Sequence, residues 1–166
     1  MNEARVGLGI DFHRFGPRGP LVLGGVHIPH DGGLLGHSDA DVLVHAVCDA
    51  LLGAAALGDV GLLFPDTDER YRGVSSLSLL ADVVGRLAEG GWVVVNVDTS
   101  VVAALPRLAP HFPAMRRALA PLLGVAEDRV GLKATTSEGM GALGRGEGIG
   151  AWAVALIRAA GRGPGR

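Results

Sequence analysis

The stretch that most constrains the fold runs Gly36-His37-Ser38-Asp39-Ala40-Asp41-Val42-Leu43-Val44-His45 and on into Ala46-Val47-Cys48-Asp49-Ala50-Leu51-Leu52. It reads as a buried helix over about 39–57, with ionisable groups where a core helix would carry none. Ser38 has the place of an N-cap, and Asp41 follows at the capping-box spacing, with Asp in place of Glu or Gln. Asp41, His45 and Asp49 recur at i, i+4 and i+8 and share roughly one face. The residues around them are almost wholly apolar as far as Gly58. A buried carboxylate or imidazole is costly unless it is paired or bound to a metal. This face therefore needs partners from elsewhere in the chain.

At 166 residues the chain has room for one domain with a sizeable core. A net charge of −2, with both signs spread along the sequence, leaves no electrostatic footprint for nucleic acid and no basic amphipathic segment for a membrane. Apolar residues make up 48% and charged residues 19%, and so much apolar surface on a short chain points to burial between subunits. Cys48 is the sole cysteine, which excludes an internal disulfide and a cysteine-rich zinc site; within an apolar helix it reads as a small buried hydrophobe. Met1-Asn2-Glu3-Ala4-Arg5 does not open a secretory signal, and Asp49 and Asp98 interrupt the two longest apolar runs. The expectation is a soluble cytoplasmic protein.

Residues 6–15 alternate, with Val6, Leu8, Ile10 and Phe12 on one side and Gly7, Gly9, Asp11 and His13 on the other, the pattern of a strand. A turn at 16–20 precedes a short hairpin over 21–28 pivoting on Gly24-Gly25, and a glycine-rich loop covers 29–35. Residues 59–72 read as irregular, with turn chemistry in Phe64-Pro65-Asp66-Thr67-Asp68. A second helix is expected over 75–89, stopped by Gly90-Gly91, and a long β-branched strand over 92–105, broken by Pro106 and Pro110. A third helix over 113–123 ends at Gly124, and 130–136 forms another strand. A glycine-rich loop fills 137–148. Residues 149–160 alternate like a strand, although their alanines suit a helix. No repeat or linker divides the chain, so residues 1–160 are expected to form one domain and 161–166 a disordered tail. Few strands feed directly into a crossover helix. The architecture expected is a two-layer α+β sandwich with helices packed on one face of a mixed sheet.

Three groups carry chemistry. Asp11 and His13 leave one face of the first strand and His45 comes from the long helix, a trio able to bind a divalent metal with a coordination position left open. The same trio fits a non-haem iron site, and it is also compatible with a strand-end hydrogen-bond pair beside a core histidine. His37 and Ser38 stand at a helix N-terminus, which favours an anion. Lys133-Ala134-Thr135-Thr136-Ser137-Glu138 ends a strand in hydroxyls able to hold a diphosphate, with Glu138 in reach of a bridging Mg²⁺ or Mn²⁺. Gly139-Met140-Gly141-Ala142-Leu143-Gly144 matches G-x-G-x-x-G in form only, because no acidic residue follows at the distance a dinucleotide fold needs. Arg145 and Glu147 read as an ion pair in a tight loop or at a subunit contact. His27, His30 and His111 lie near turn residues and are assigned no role.

Taken in order, Ile10-Asp11-Phe12-His13, the block from Leu35 through Asp41, His45, the block from Asp49 through Asp59, Phe64-Pro65-Asp66-Thr67-Asp68, Lys133-Ala134-Thr135-Thr136 and Gly144-Arg145-Gly146-Glu147-Gly148 resemble the 2-C-methyl-D-erythritol 2,4-cyclodiphosphate synthases across about residues 5–160. The resemblance implies a homotrimer of α+β subunits with an active site at each subunit boundary. It implies cyclisation of 4-diphosphocytidyl-2-C-methyl-D-erythritol 2-phosphate with release of CMP, in the non-mevalonate isoprenoid pathway. It places Zn²⁺ or a similar ion on Asp11, His13 and His45, and Mg²⁺ or Mn²⁺ on Glu138 at the diphosphate. It makes His37 and Thr136 stabilisers of the transition state.

On the same resemblance, Asp11, Phe12, His13, His37 and Ser38 contact substrate. Asp59, Val60 and Gly61, with Phe64, Pro65, Asp66, Thr67 and Asp68, hold the methylerythritol phosphate. Ala103, Ala104, Leu105, Pro106, Arg107, Leu108 and Ala109, with Thr135, Thr136, Ser137 and Glu138, hold the cytidine diphosphate from a neighbouring subunit. Ala142 and Arg145 correspond to positions that line a central cavity of the trimer, where isoprenoid diphosphates bind. Two positions depart from the family pattern. Arg107 replaces a common lysine, keeping the charge but changing its phosphate geometry, and Ala142 replaces a common phenylalanine. Two other readings of the same residues are an iron oxygenase built on the trio and a non-catalytic trimer that binds isoprenoid diphosphates.

Overall fold

The two layers meet along a track of small residues. Strand β1 (Ala4–Arg14) turns Gly7 and Gly9 toward helix α1 (Val42–Ala55). A Cβ on Gly7 would lie 1.9 Å from the Ala50 carbonyl oxygen, and one on Gly9 would lie 1.9 Å from that of Ala46. A side chain at either position would drive the layers apart, so glycine sets their spacing. Ala46, Ala50 and Ala54 lie one turn apart on the opposing helix face, and all are buried.

The computed structural model describes residues 3–161. Its main sheet has the order β1-β6-β4-β5, with β4 spanning Trp92–Val102, β5 Val130–Thr135 and β6 Gly148–Ala159. β6 runs antiparallel to both β1 and β4, whereas β4 and β5 are parallel. Helix α4 (Phe112–Leu123) lies in the crossover between that parallel pair. The segment over 149–160, open between strand and helix on pattern alone and a strand by the family resemblance, is strand β6. Its alternation is real: Ala151, Ala153, Ala155 and Ile157 are buried toward the helices. Helix α3 (Ser76–Glu89) packs beside α1 and buries Leu80, Val83 and Leu87. A separate hairpin, β2 (Leu21–Leu23) with β3 (Val26–Ile28), pivots on Gly24-Gly25 as expected.

The outer face of the sheet is uncovered. Val6, Leu8, Ile10 and Phe12, the apolar side of β1, point away from the helices, with Val6 67% and Phe12 55% exposed. The usual apolar-in, polar-out pattern is inverted, because the inward face of this strand is made of glycines and the site residues.

Several local readings change. Helix α1 starts at Val42 because Asp41, not Ser38, is its N-cap: Asp41 Oδ1 accepts the Val44 amide at 3.1 Å. Ala40 immediately before it has φ 56°, a left-handed conformation that ends any helix there. At the other end Ala56, also left-handed with φ 58°, stops the helix short of Leu57. The segment 59–72 is not wholly irregular: Asp59 caps a one-turn helix α2 (Val60–Leu63), and a 3₁₀ turn covers Glu69–Tyr71. The loop 137–148 holds a one-turn helix α5 (Gly141–Gly144). Strand β4 stops at Val102, after which the Ala103 amide donates to the Thr135 carbonyl at 3.1 Å. The expected tail beyond Gly161 lies outside the described residues. Among those residues, no helix is long and apolar enough to cross a membrane.

Candidate metal centre and its cavity

The inward face of β1 reads Gly7, Gly9, Asp11, His13, and it runs antiparallel to α1. Where the glycine track ends, the helix presents His45. Asp11 Oδ2 lies 2.9 Å from His13 Nε2 and 3.1 Å from His45 Nδ1, and the two nitrogens are 3.3 Å apart. Bonds of about 2.0–2.1 Å at tetrahedral angles place neighbouring donors about 3.3 Å apart. One carboxylate oxygen and two imidazole nitrogens at this spacing can therefore hold a divalent ion with a position left open.

Each imidazole is aimed by a contact behind it. His13 Nδ1 donates to the Leu35 carbonyl at 2.5 Å, which leaves Nε2 for the cluster. His45 Nε2 faces the hydroxyls of Ser76 at 2.9 Å and Ser38 at 3.1 Å, which leaves Nδ1 for it. Burial alone would raise the Asp11 carboxyl, but hydrogen bonds and charge from His13 and His45 outweigh it and hold Asp11 well below the carboxylate range. Burial would likewise lower His13, but the hydrogen bond and charge of Asp11 outweigh it and raise His13 above its ordinary value.

The other two polar residues of α1 find different partners. Asp41 is fully buried and accepts from the Gly24 amide at 3.0 Å and the Gly25 amide at 2.7 Å, as well as from Val44. Burial pushes its carboxyl up to about 6 against those three amides. Asp49 accepts the Val60 amide at 2.7 Å, and burial raises it too. Of the helix trio, then, His45 alone reaches the cluster. Asp41 and Asp49 fasten the hairpin and α2 to the helix.

The cluster opens on a cavity of about 530 Å³ that is also lined by His37, Ser38, Val60, Gly61, Phe64, Pro65 and Asp66. His37 Nε2 donates to the Asp68 carbonyl at 3.0 Å, so its Nδ1 remains available. Asp59 caps α2 through the Leu62 amide, and the Asp68 carboxylate is held low by the Arg70 guanidinium, 2.6 Å away. Phe12 turns instead to the outer face of the sheet and packs edge-on against Trp152, with ring centroids 5.1 Å apart.

No residue from 103–109 or 135–138 lines this cavity. Those segments follow β4 and β5, the two strands farthest from β1 in the sheet order, although Ser137 reaches a second cavity beside Phe12 and His13. There Thr136 Oγ1 donates to Glu138 Oε1 at 2.9 Å, and Glu138 has φ 51°. Ala103 and Leu108 are buried, whereas Leu105 and Arg107 are exposed. Ala142 lines a separate apolar cavity with Phe12, Ser137, Met140 and Leu143. Arg145 pairs with Glu147 at 2.6 Å and lines a third cavity with Phe15, Ala104 and Leu105.

The sequence reading missed Ser76, Asp39 and Tyr71. Tyr71 lines the cavity, Ser76 touches His45, and Asp39 accepts from Ser76. A serine before a helical pattern reads as a cap, and nothing local marks it as facing a histidine 31 positions away.

Comparison with known proteins bears on the whole chain. The model of the YgbB family matches residues 4–158. The 2-C-methyl-D-erythritol 2,4-cyclodiphosphate synthase of Syntrophomonas wolfei is 58% identical over 156 residues, covering 94% of this chain and 99% of that protein. The bifunctional IspDF of Campylobacter jejuni superposes with a TM-score of 0.92 at 40% identity, over 96% of this chain, which spans 43% of that longer one. A 2C-methyl-D-erythritol-2,4-cyclodiphosphate synthase structure in its CDP-bound form superposes at 0.84 and 40% identity, over 92% of this chain and 99% of that one. Agreement that runs this far, both along the sequence and through the fold, makes the chain a member of the YgbB family.

Proposed function

We propose that the chain cyclises 4-diphosphocytidyl-2-C-methyl-D-erythritol 2-phosphate to 2-C-methyl-D-erythritol 2,4-cyclodiphosphate and releases CMP. The observation that carries this reading is the convergence of Asp11 Oδ2, His13 Nε2 and His45 Nδ1 within 3.3 Å on a cavity that His37, Ser38 and Asp66 also line. It occurs in a chain 58% identical to a synthase of that name.

The 2-phosphate oxygen attacks the β-phosphorus. One P–O bond forms, the bond to the α-phosphate oxygen breaks, and that oxygen leaves on CMP. The nucleophile belongs to the substrate, so no side chain has to supply one. Cys48 is fitted to packing, since burial pushes its thiol far above the reactive range. Zn²⁺ held by Asp11, His13 and His45, and Mg²⁺ or Mn²⁺ held by Glu138, would supply the Lewis acidity that eases the approach of two anionic phosphates. The chain's own part is to hold the two ends together, which removes most of the entropy of ring closure. His37, fixed through Nε2 on the Asp68 carbonyl, offers Nδ1 to a phosphate oxygen, and when protonated it donates there. Thr136 offers a hydroxyl that now rests on Glu138.

In this reading residues 1–160 form one catalytic domain, and three copies assemble with their uncovered sheet faces together. The exposed row of Val6, Leu8, Ile10 and Phe12 supports that assembly, because a contiguous apolar face on a free monomer would be costly. The separation of Thr135, Thr136 and Glu138 from the Asp11 cavity supports it too: a neighbouring copy would bring the nucleotide segments to each cavity. The deciding experiment supplies the purified chain with substrate, Zn²⁺ and Mg²⁺, follows CMP, and measures mass in solution. CMP release by a trimer is the expected result. A metal-loaded trimer that releases no CMP would overturn the assignment.

A further inference from the structure

Ser76 is fully buried and polar, and its contact with His45 Nε2 has a second link behind it. It is the first residue of α3, yet its hydroxyl does not cap that helix. It donates to Asp39 Oδ1, while Asp39 Oδ2 accepts the Ser76 amide at 3.0 Å. A carboxylate can only accept, so the single Ser76 proton is committed to Asp39. The Ser76 oxygen then presents a lone pair to His45 Nε2, 2.9 Å away, which favours the imidazole proton on that nitrogen. With the proton on Nε2, the His45 Nδ1 lone pair is the atom a metal shared with Asp11 and His13 would take.

We propose that Asp39 and Ser76 are positioning residues that fix His45 in its Nε2–H tautomer and so keep Nδ1 ready to bind a metal. The inference rests on the reading of Asp11, His13 and His45 as a metal centre. Asp39 is itself held in place. Its amide donates to the Val74 carbonyl at 3.0 Å, and its Oδ1 accepts the Asp41 amide at 3.3 Å, beside the cap of α1. The pair thus joins the start of α3 to the start of α1, and the imidazole orientation follows from how the two helices pack. Groups behind a metal-binding histidine commonly set its affinity in this way.

The test is Asp39→Asn. An asparagine can still accept the Ser76 amide through its oxygen, but its NH₂ now donates to Ser76 Oγ. The Ser76 proton is then free to point at His45 Nε2, which favours the Nδ1–H tautomer. The readout is the ¹⁵N shifts of the His45 ring in chelator-treated, histidine-labelled protein, with Zn²⁺ affinity measured by competition. We expect Nε2–H in the parent chain, a shift toward Nδ1–H in Asp39→Asn, and Zn²⁺ affinity lower by about 10–100-fold. Ser76→Ala should lose affinity in the same range, and Ser76→Thr should restore most of it. An unchanged His45 tautomer in Asp39→Asn overturns the inference, because the Ser38 hydroxyl at 3.1 Å would then be setting it. Unchanged Zn²⁺ affinity in both Asp39→Asn and Ser76→Ala overturns it as well. Failure of the underlying site is distinguishable: the parent chain itself would bind no Zn²⁺, while the tautomer measurement still decides what Asp39 and Ser76 do.

Discussion

His45 Nδ1 faces Asp11 Oδ2 at 3.1 Å, although 34 positions of chain separate them. The contact exists only because α1 lies flat on β1. Removing the imidazole takes away a third of the donor set while leaving the Ala46, Ala50 and Ala54 packing untouched. His45→Ala should abolish Zn²⁺ binding at micromolar concentration and lower turnover by about 10³-fold or more, with melting of the chelated protein within about 3 °C of the parent. Elemental analysis and CMP release check both effects. A variant that keeps its metal would place the ion elsewhere.

Protons compete with the metal for the same atoms. His13 is raised above its ordinary 6.5, so a proton is harder to displace than from a free imidazole. Zn²⁺ affinity should fall about tenfold per pH unit once pH drops below the His13 value. Stability of chelated protein has its own signature. The Asp11 carboxyl is lowered from 3.8, so its contribution is present above 3.8 and lost as pH falls through the folded value. His13 is raised, so its contribution is full below 6.5 and lost as pH rises through the folded value. The pair therefore stabilises most between those limits. Denaturant titrations across pH, compared with Asp11→Asn, check it, and a flat difference curve would count against the coupling.

Asp41 illustrates how far the sequence could be read. Its place on the His45 face was legible from helical periodicity, and so was its need for partners. What periodicity could not supply was the identity of those partners, the Gly24 and Gly25 amides on a hairpin that the sequence located but could not dock. Asp11 and His13 were legible for the opposite reason, because strand alternation puts both on one side whatever lies opposite. Ser76 was invisible, since its meaning depends on how α3 packs on α1. The outward face of β1 was read as an apolar stripe, but its direction was not readable: only the glycines of the other face, measured against Ala46 and Ala50, show which side the helix covers.

Asp41→Ala should destabilise the fold by about 3 kcal/mol. Two buried amides and the part-buried Gly25 amide would lose their acceptor, at about 1–3 kcal/mol for each buried one, offset in part by relief of a buried carboxylate. The pH dependence gives the sign. The folded carboxyl titrates at about 6, above the 3.8 expected when unfolded, so its contribution is full below 3.8 and lost as pH rises to about 6. The advantage of the parent over Asp41→Ala should therefore be larger near the acid end than at neutral pH. Urea unfolding of both proteins across that window checks it, and a gap that widens with pH would show the amides, not burial, governing this carboxyl.

The spacing of the layers should matter as much to the metal centre as the donors themselves. Gly9 stands two residues before Asp11 on the same strand face, and a Cβ there would meet the Ala46 carbonyl oxygen at 1.9 Å and the Ala50 amide nitrogen at 2.6 Å. Neither is the mobile end of a side chain, so the helix as a whole must move. Gly9→Ala should cost about 3 kcal/mol of stability by overpacking. It should also carry His45 away from Asp11 and His13, because His45 adjoins Ala46 on the displaced helix. Zn²⁺ affinity is then expected to drop by about tenfold or more, although no donor has changed. Gly85→Ala is the control: on α3 an added Cβ meets nothing within 4 Å, and both stability and affinity should hold. Competition titrations on the folded fraction of each variant separate the two effects. Full affinity in folded Gly9→Ala would mean that the loop carrying Leu35, rather than the distance between strand and helix, holds the donors together.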